Sequence, residues 1–237
     1  MGRQTRIWRH DFRGHQLLAE TASGTGGPFV KADTSSSGAP TVVGLDGGGI
    51  RILLANTNEV ENVCVYFGDK LSFDIDDIIR ASFVVSCAAA LNAAESLAFG
   101  LTGARNDAID SIAQAAIFRC IGDQNVVVET DDGTNDNDDK VTGLTLGTSW
   151  KRFDIDFASR NTTIEPPSVS KGRKSNIEFY GSNSISGARR RLAAGTRFDM
   201  SNYSGGLQPF FQLQKTAATS TGNLDILSVE VEYNEPI

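Results

Sequence analysis

The stretch WKRFDIDF, residues 150–157, decides the fold. Its apolar side chains alternate with charged ones, which is the pattern of a strand that is half buried over a core. The predicted core residues of this strand are Phe153, Ile155 and Phe157. Asp154 and Asp156 share the opposite side of the strand, and we expect both carboxylates to face solvent, as most carboxylates do.

Length, composition and charge restrict the class of protein. The chain has 237 residues, of which 40% are hydrophobic and 22% charged, a balance typical of a globular protein with one sizeable core. The formal net charge of −7 argues against nucleic acid as a partner, because neutralising phosphates requires a basic surface. No apolar run approaches the roughly 18 residues of a membrane span. No apolar segment follows the arginine-rich N-terminus, so a secretory signal is not expected.

From residue 41 onward, short apolar runs alternate with turn-forming residues. Asp46 to Gly49 separates two such runs and predicts a hairpin turn. The acidic stretch at residues 129–140 predicts the tip of a further hairpin or a long connection, since Asp and Asn favour turns. Residues 106–114 fit either a short helix or a loop. Because no long amphipathic helix separates the strands, we predict an all-β fold of two packed antiparallel sheets with little helix.

The first 40 residues differ in composition from the rest. We assign residues 1–40 to a basic N-terminal arm followed by a Gly- and Ser-rich loop, and residues 41–237 to the β-sandwich. The arm fits either a flexible segment or an opening strand, and Trp8 among its arginines favours docking onto the body. Deletion of residues 1–13 is expected to leave the domain folded.

Three segments resemble the jelly-roll sandwich of concanavalin A, laminin G domains and related lectin-like modules. They are TSWKRFDIDF (148–157), PFFQLQK (209–215) and LDILSVEVEY (224–233). The resemblance implies a two-sheet antiparallel jelly roll. It implies little about activity, because this fold carries binding, catalytic and structural functions alike.

A second resemblance concerns the Gly- and Ser-rich front of the chain and its arginine-bearing first segment. Both are similar to proteins of tailed-phage virions, especially capsid decoration (cement) proteins. The resemblance implies a non-enzymatic, homo-oligomeric protein that is assembled in the host cytoplasm and stabilises the major capsid protein shell of the virion. The candidate partner-binding residues are Arg3, Arg6, Trp8, Arg9, Arg13, Arg189, Arg190 and Arg191. The last three also fit an edge strand that charge protects against aggregation.

The alternative function is a carbohydrate-binding, lectin-like module or a fibre component that recognises host glycans. Sugars stack on aromatic faces while their hydroxyl groups bond to polar side chains. Aromatic residues beside polar loops are therefore the candidates for glycan binding: Trp150, Tyr180 and Tyr203.

Catalysis is not expected. Related sandwich glycosidases carry E-x-D-x-x-E or E-x-D-x-E on one strand, and hydrolysis needs two carboxylates. The corresponding strand here has Asp154 and Asp156 but lacks the acid/base glutamate. His10 and His15, the only histidines, have no recognisable catalytic partners in the sequence.

No cofactor or metal is predicted. The acidic stretch at residues 129–140 does not match the calcium loop D-x-[DN]-x-[DN]-G, although calcium near a ligand loop remains open by analogy with lectins. Cys64, Cys87 and Cys120 each lie within an apolar run and have no zinc-ligand spacing. Buried free thiols, compatible with a reducing compartment, are the expected state.

Overall fold

The computed structural model describes residues 3–12, 28–37, 39–70, 72–157 and 174–236. Within these ranges the regular structure consists of sixteen β-strands and one short 3₁₀ helix. The strands are, in chain order, β1 (Arg3–Asp11), β2 (Val30–Asp33), β3 (Thr41–Gly44), β4 (Ile50–Leu53), β5 (Glu59–Tyr66), β6 (Phe73–Asp74), β7 (Ile78–Ser86), β8 (Glu95–Thr102), β9 (Ala115–Ile121), β10 (Asn125–Asp131), β11 (Asp136–Thr145), β12 (Lys151–Asp156), β13 (Glu178–Gly181), β14 (Arg190–Leu192), β15 (Gly206–Ala218) and β16 (Asn223–Pro236). The 3₁₀ helix spans Ile109–Ser111.

Two sheets of eight strands each form a sandwich. The first sheet has the order β14, β13, β12, β7, β16, β4, β3, with β1 also paired to β16. The second has the order β11, β10, β9, β8, β15, β5, β2, with β6 also paired to β15. Neighbouring strands in both sheets run antiparallel. The fold is the predicted concanavalin A-like jelly-roll sandwich.

A phenylalanine cluster joins the two sheets. Phe153 of β12 lies 5.0 Å, between ring centroids, from both Phe99 and Phe118 of the second sheet. Phe118 also meets Phe179 edge to face at 5.2 Å. Phe153, Ile155 and Phe157 are fully buried, which confirms the predicted core face of β12.

The opposite face of β12 is only in part the solvated surface that the sequence suggested, since the side chain of Asp156 is 23% exposed but that of Asp154 is not. Asp154 is fully buried. Ser82 donates a hydrogen bond to its Oδ1 atom, and Arg152 donates another at 3.0 Å. The Nε atom of Arg189 lies 2.8 Å from its Oδ2 atom. Alternation identified the correct face of the sheet, but two long arginine side chains cover the carboxylate from above.

The N-terminal segment is built into the first sheet. Residues 3–11 form β1 and pair with residues 228–236 of β16 along their whole length. Residues 30–33 form β2, which pairs with β5 in the second sheet. The sheets therefore take in residues from both sides of the predicted domain boundary at residue 40. Residues 13–27 of the predicted arm and loop lie outside the described residues.

Several local predictions are confirmed. Asp46 to Gly49 joins β3 to β4 in an antiparallel hairpin, and the acidic stretch contains the tip that joins β10 to β11. The ambiguous segment at residues 106–114 contains the 3₁₀ helix. The cysteines are all free and buried. Within the described ranges there is no helix long and apolar enough to cross a membrane.

The segment between β8 and β9, residues 103–114, covers part of the outer face of the second sheet. Ile109 and Ile112 pack with Ile117 and Phe210 in a small apolar cluster. The backbone carbonyl of Asp107 accepts hydrogen bonds from the side-chain amides of two strand residues, Asn62 at 2.8 Å and Gln212 at 2.9 Å. These contacts fix residues 103–114 against the second sheet.

Candidate functional site

A groove of about 490 Å³ opens on the outer face of the first sheet. Its floor comes from β4, β7 and β16, and its walls come from four connecting segments, those that join β3 to β4, β7 to β8, β11 to β12 and β13 to β14. The lining residues are Leu45, Asp46, Gly47, Gly48, Arg51, Ser86, Ala88, Thr148, Trp150, Ile185, Asp225 and Leu227.

Strand register places the polar floor in one row. Asp225 of β16 is the cross-strand partner of Ser86 on one side and of Arg51 on the other, and directly opposed residues share a face of a sheet. Trp150 immediately precedes β12 and has the same period-two parity as Arg152 and Asp154, so its indole projects on this outer face. The indole is half buried, with part of its surface open to the groove.

The floor holds a fixed charge pair. Arg51 donates from Nε to Asp225 Oδ1 at 2.6 Å and from Nη2 to Oδ2 at 2.7 Å. Asn223 donates to Oδ1 at 2.8 Å. This side-on pairing raises the pKa of Arg51 above its ordinary value, chiefly through the hydrogen bond to Asp225. Because the side chain of Arg51 is 31% exposed and that of Asp225 only 5%, the guanidinium is the member of the pair that a ligand can reach.

One wall of the groove is the hairpin turn between β3 and β4. Leu45 and Gly49 form a hydrogen bond across the turn, from the backbone N–H of Leu45 to the carbonyl of Gly49 at 3.0 Å. Gly49 has a φ of +101°, and a Cβ atom there would lie 2.8 Å from the carbonyl oxygen of Ile226. Glycine is therefore needed for the turn to approach β16 closely enough to border the groove.

The opposite wall is the loop at residues 182–189, between β13 and β14. Ile185 is 45% exposed and lines the groove from this side. The loop begins with a hydrogen bond from the backbone N–H of Ser182 to the carbonyl of Arg152 at 2.9 Å. The groove thus combines a half-buried indole, an oriented guanidinium, hydroxyl groups and apolar contacts.

The three predicted glycan-binding aromatic residues do not share one site. Trp150 lines the groove. Tyr180 faces the same side of the sheet, but the Cζ atom of Arg189 lies 4.4 Å from its ring centroid and occupies that ring face. Its hydroxyl donates to Glu178 at 2.5 Å, and burial, with help from Glu178, raises the pKa of Tyr180 to about 12. The hydroxyl of Tyr203 donates to the carbonyl of Gly206 at 2.8 Å, away from the groove.

The residues predicted to bind a partner fall into two separate groups. Arg3, Arg6, Trp8 and Arg9 lie on β1, whereas Arg189, Arg190 and Arg191 lie at or next to β14. Five strand spacings of about 4.8 Å, or ~24 Å in total, separate β1 from β14 in the first sheet. The two groups therefore do not form one continuous basic patch. Arg13 lies outside the described residues.

Most of these side chains have partners within the chain. The ion pairs are Arg6–Glu235 (2.8 Å), Arg9–Asp11 (2.9 Å) and Arg191–Glu178 (3.2 Å). Trp8 packs edge to face on Phe67, with ring centroids 5.1 Å apart. Arg190 Nη2 donates to the carbonyl of Gly143 at 3.3 Å. The Nε atom of Arg189 lies 2.8 Å from Asp154 Oδ2.

Sequence reasoning identified one of the four principal groove residues, Trp150, and missed Arg51, Ser86 and Asp225. Each missed residue occupies an outward position of its strand, in the same row across the sheet. No signal in the sequence brings them together, because they come from strands β4, β7 and β16, whose adjacency depends on the sheet order.

The structure offers no ready metal site within the described residues, where no group of three His, Cys, Asp or Glu side chains is placed to hold an ion. At the acidic tip, Asp132 is buried and accepts backbone hydrogen bonds from Thr134, Asn135 and Asn202. Burial acts to raise the pKa of Asp132, but these hydrogen bonds outweigh it and lower the pKa. Asp132 therefore organises the hairpin tip and its contact with the neighbouring loop.

Comparison with solved structures finds the same fold in other proteins. The chain is similar to a protein of unknown function from Shewanella oneidensis MR-1, with a TM-score of 0.57 and 13% identity over 97% of this chain and 87% of that one. It is similar to the β-glucanase of Bacillus licheniformis, with a TM-score of 0.55 and 12% identity over 97% and 98% of the two chains. It is also similar to the carbohydrate recognition domain of Emp47p, with a TM-score of 0.52 and 11% identity over 93% and 95%.

These similarities establish the fold class, a concanavalin A-like sandwich that this chain shares with a carbohydrate recognition domain and a β-glucanase. No family model matches the chain, and no curated protein matches its sequence significantly. At 10 to 13% identity the shared property is the backbone architecture.

Proposed function

We propose that the protein is a carbohydrate-binding, lectin-like module whose ligand occupies the groove beside Trp150. The observation that carries the proposal is the position of this half-buried indole, at the edge of a floor formed by Arg51, Ser86 and Asp225. An indole face stacks on the C–H face of a pyranose, while the fixed polar groups bond to ring hydroxyls. Solved structures with this fold include a carbohydrate recognition domain and a glucanase, in keeping with such a role.

Binding without hydrolysis is part of the proposal. Asp154 lies on β12, the strand that corresponds to the catalytic strand of sandwich glycosidases. Its carboxylate is buried among Arg152, Arg189 and Ser82. Two carboxylates line the groove: Asp225, which Arg51 holds side-on, and Asp46, on the exposed turn between β3 and β4. Asp154 and Asp225 are both paired with arginine, which leaves Asp46 as a single accessible carboxylate, whereas glycoside hydrolysis uses two that contact the substrate.

Glycan binding is tested by screening the purified protein on a glycan array and measuring the best ligand by calorimetry. Trp150→Ala should weaken binding at least about tenfold, the equivalent of about 1.4 kcal/mol, and Trp150→Phe should retain part of the affinity because the aromatic face remains. Tyr203→Phe is the control outside the groove and should bind like the wild type. Absence of any glycan ligand, or equal binding by Trp150→Ala, would refute the proposed function.

Capsid decoration is the competing proposal, and one observation favours a protein partner. Ile7 of β1 is 63% exposed, and Arg9, two residues along, has a side chain that is 56% exposed. An exposed isoleucine beside charged residues is compatible with a docking surface. In this role the protein would bind the major capsid protein shell as a homo-oligomer and stabilise the virion. Co-sedimentation with capsids tests it: Ile7→Ser should reduce binding, and an unchanged amount in the pellet would exclude this surface.

A further inference from the structure

We propose that Arg189 is a positioning residue that fixes the groove wall formed by the loop at residues 182–189, which carries Ile185. This role rests in part on the proposed glycan function. Arg189 does not line the groove itself. It ends the loop at residues 182–189, and its contacts go to the outer face of β12 and β13. The inference is that this one side chain determines how the loop borders the groove.

Both ends of the loop are attached to β12, the strand that Trp150 immediately precedes. At the first end, the backbone N–H of Ser182 donates to the carbonyl of Arg152 at 2.9 Å. At the second end, the Nε atom of Arg189 lies 2.8 Å from Asp154 Oδ2. The loop is therefore held at two points on the same strand, and Ile185 lies between them.

The attachment at Asp154 differs from an ordinary surface ion pair in the burial of its carboxylate. The carboxylate is fully buried, whereas the side chain of Arg189 is 32% exposed. The guanidinium also stacks over the ring of Tyr180, with Cζ 4.4 Å from the centroid. A planar guanidinium can satisfy a carboxylate and an aromatic face together, which a lysine ammonium does less well. Loss of this side chain would release only the second end of the loop.

The interior of the loop has little freedom while both ends are held. The backbone N–H of Gly187 donates to the carbonyl of Ser184 at 3.3 Å. A Cβ atom at Gly187 would lie 2.4 Å from the hydroxyl oxygen of Ser182, so the two arms of the loop are in close contact. A loop of this kind moves as a unit, and Ile185 would move away from Trp150 when the Arg189 end is released.

Arg190 provides a matched control. It is the next residue in the chain and carries the same charge, but its Nη2 atom donates to the carbonyls of Thr142 and Gly143 in β11. It makes no ion pair with Asp154 in the described structure. Arg189→Gln and Arg190→Gln therefore remove the same charge from neighbouring positions. Only Arg189→Gln should release the end of the loop that is attached to Asp154.

The experiment uses two readouts. The chain has two tryptophans, so comparison with Trp150→Phe assigns the indole N–H signal of Trp150 in NMR spectra. In Arg189→Gln a soluble paramagnetic agent should broaden that signal more strongly than in the wild type, and binding of the best glycan should weaken about fivefold because the loop must then be ordered on binding. Arg190→Gln should show neither effect, and Arg189→Lys should lie between wild type and Arg189→Gln.

The outcomes separate the two proposals. Greater broadening in Arg189→Gln but no glycan ligand for the wild type would support the positioning role and refute the glycan function. Glycan binding by the wild type with equal broadening and equal affinity in Arg189→Gln would overturn the positioning role and leave the glycan function standing. Thermal unfolding of each variant confirms that the spectra compare folded proteins.

Discussion

Among individual residues, Asp154 has the environment that departs most from its sequence pattern. Its position in WKRFDIDF predicts an outward side chain, and the side chain does lie on the outer face of the first sheet. The carboxylate is buried because two arginine side chains cover it. Arg152 lies two residues before it on the same strand, whereas Arg189 is distant in the sequence. The attraction of the two guanidinium groups offsets the desolvation of the carboxylate.

Removal of the Asp154 carboxylate should destabilise the protein. Asp154→Ala leaves Arg152 and Arg189 without their shared anion, and we expect a loss of about 2 to 3 kcal/mol, below the full value for a buried pair because each arginine is about a third exposed. Urea unfolding measures the loss. Asp156→Ala is the control two residues along the same face, where the side chain is 23% exposed and the expected loss is under about 1 kcal/mol. Equal losses for the two variants would show that burial of Asp154 is unimportant for stability.

For individual residues, the sequence predicted which face of the sheet a side chain occupies better than it predicted how deeply that side chain is buried. Phe153, Ile155 and Phe157 were identified as core because a period-two pattern determines which face a side chain occupies. Whether an outward side chain is wet or buried depends on what covers it. For Asp154 and Asp225 that cover comes from arginines whose proximity is set by the tertiary structure.

The hairpin joining β3 and β4 connects local backbone chemistry to the groove wall. Its three glycines, Gly47, Gly48 and Gly49, all have positive φ values, which glycine adopts with little strain. They differ in their surroundings. A Cβ atom at Gly47 would meet nothing within 4 Å, whereas one at Gly49 would lie 2.8 Å from the backbone oxygen of Ile226.

This difference predicts unequal effects of two matched substitutions. Gly47→Ala should cost about 1 kcal/mol, because it carries the strain of positive φ alone. Gly49→Ala adds a collision with the backbone and should cost at least about 2 kcal/mol, with a weaker affinity for any groove ligand because the turn must move. Chemical unfolding and ligand titration of both variants provide the comparison. A loss in Gly47→Ala as large as that in Gly49→Ala would mean that contact with β16 does not constrain the turn.

Strand β10 carries the clearest pH-dependent group. Burial raises the pKa of Glu129 to about 7, and Arg119 beside it offsets only part of this effect. Asp138 and Asp139 on β11 raise the pKa further. Asp110, in the segment that covers the second sheet, lies 2.9 Å from the same Arg119 guanidinium. The carboxyl group is thus protonated more readily in the folded protein than in the unfolded chain.

The sign of the stability change follows from this difference. Between the ordinary pKa of 4.5 and about 7, the unfolded chain releases a proton that the folded protein retains. The free energy of unfolding should therefore fall as the pH rises through this window and then level off. Glu129→Gln should show a smaller fall, measured by urea unfolding at pH 5 and pH 8, while Asp123→Asn should leave the fall unchanged. An identical pH profile for Glu129→Gln would exclude Glu129 as its source.

For the whole molecule, the sequence predicted the two-sheet sandwich but not the order of strands within it. Alternation and turn residues identify strands from local information. The groove depends on neighbours that are distant in the chain, since β16 lies between β7 and β4 in the first sheet. Arg51 and Asp225 are 174 residues apart in sequence, so their pairing has no local signature. Trp150 was found because an aromatic residue beside a polar loop is itself a signal.

The N-terminal strand gives the last prediction, because its structural role differs from that of a detachable arm. Strand β1 pairs with nine residues of β16, and Trp8 packs with Phe29, Phe67 and Phe73. Deletion of residues 1–12 should therefore expose β16 and lower the free energy of unfolding by at least about 4 kcal/mol, as expected for loss of a partly buried tryptophan, the buried Phe12 and the strand itself.

A matched variant separates the strand from its charge. Arg6→Gln combined with Arg9→Gln removes two exposed ion pairs but keeps β1, and should cost under about 1 kcal/mol. Thermal and urea unfolding of the two proteins give the comparison. If the deleted protein unfolds at the same urea concentration as the wild type, residues 3–11 are a dispensable arm after all. A large loss confined to the deletion would mean that the segment's main contribution is to complete the first sheet, whichever partner the exposed face of β1 binds.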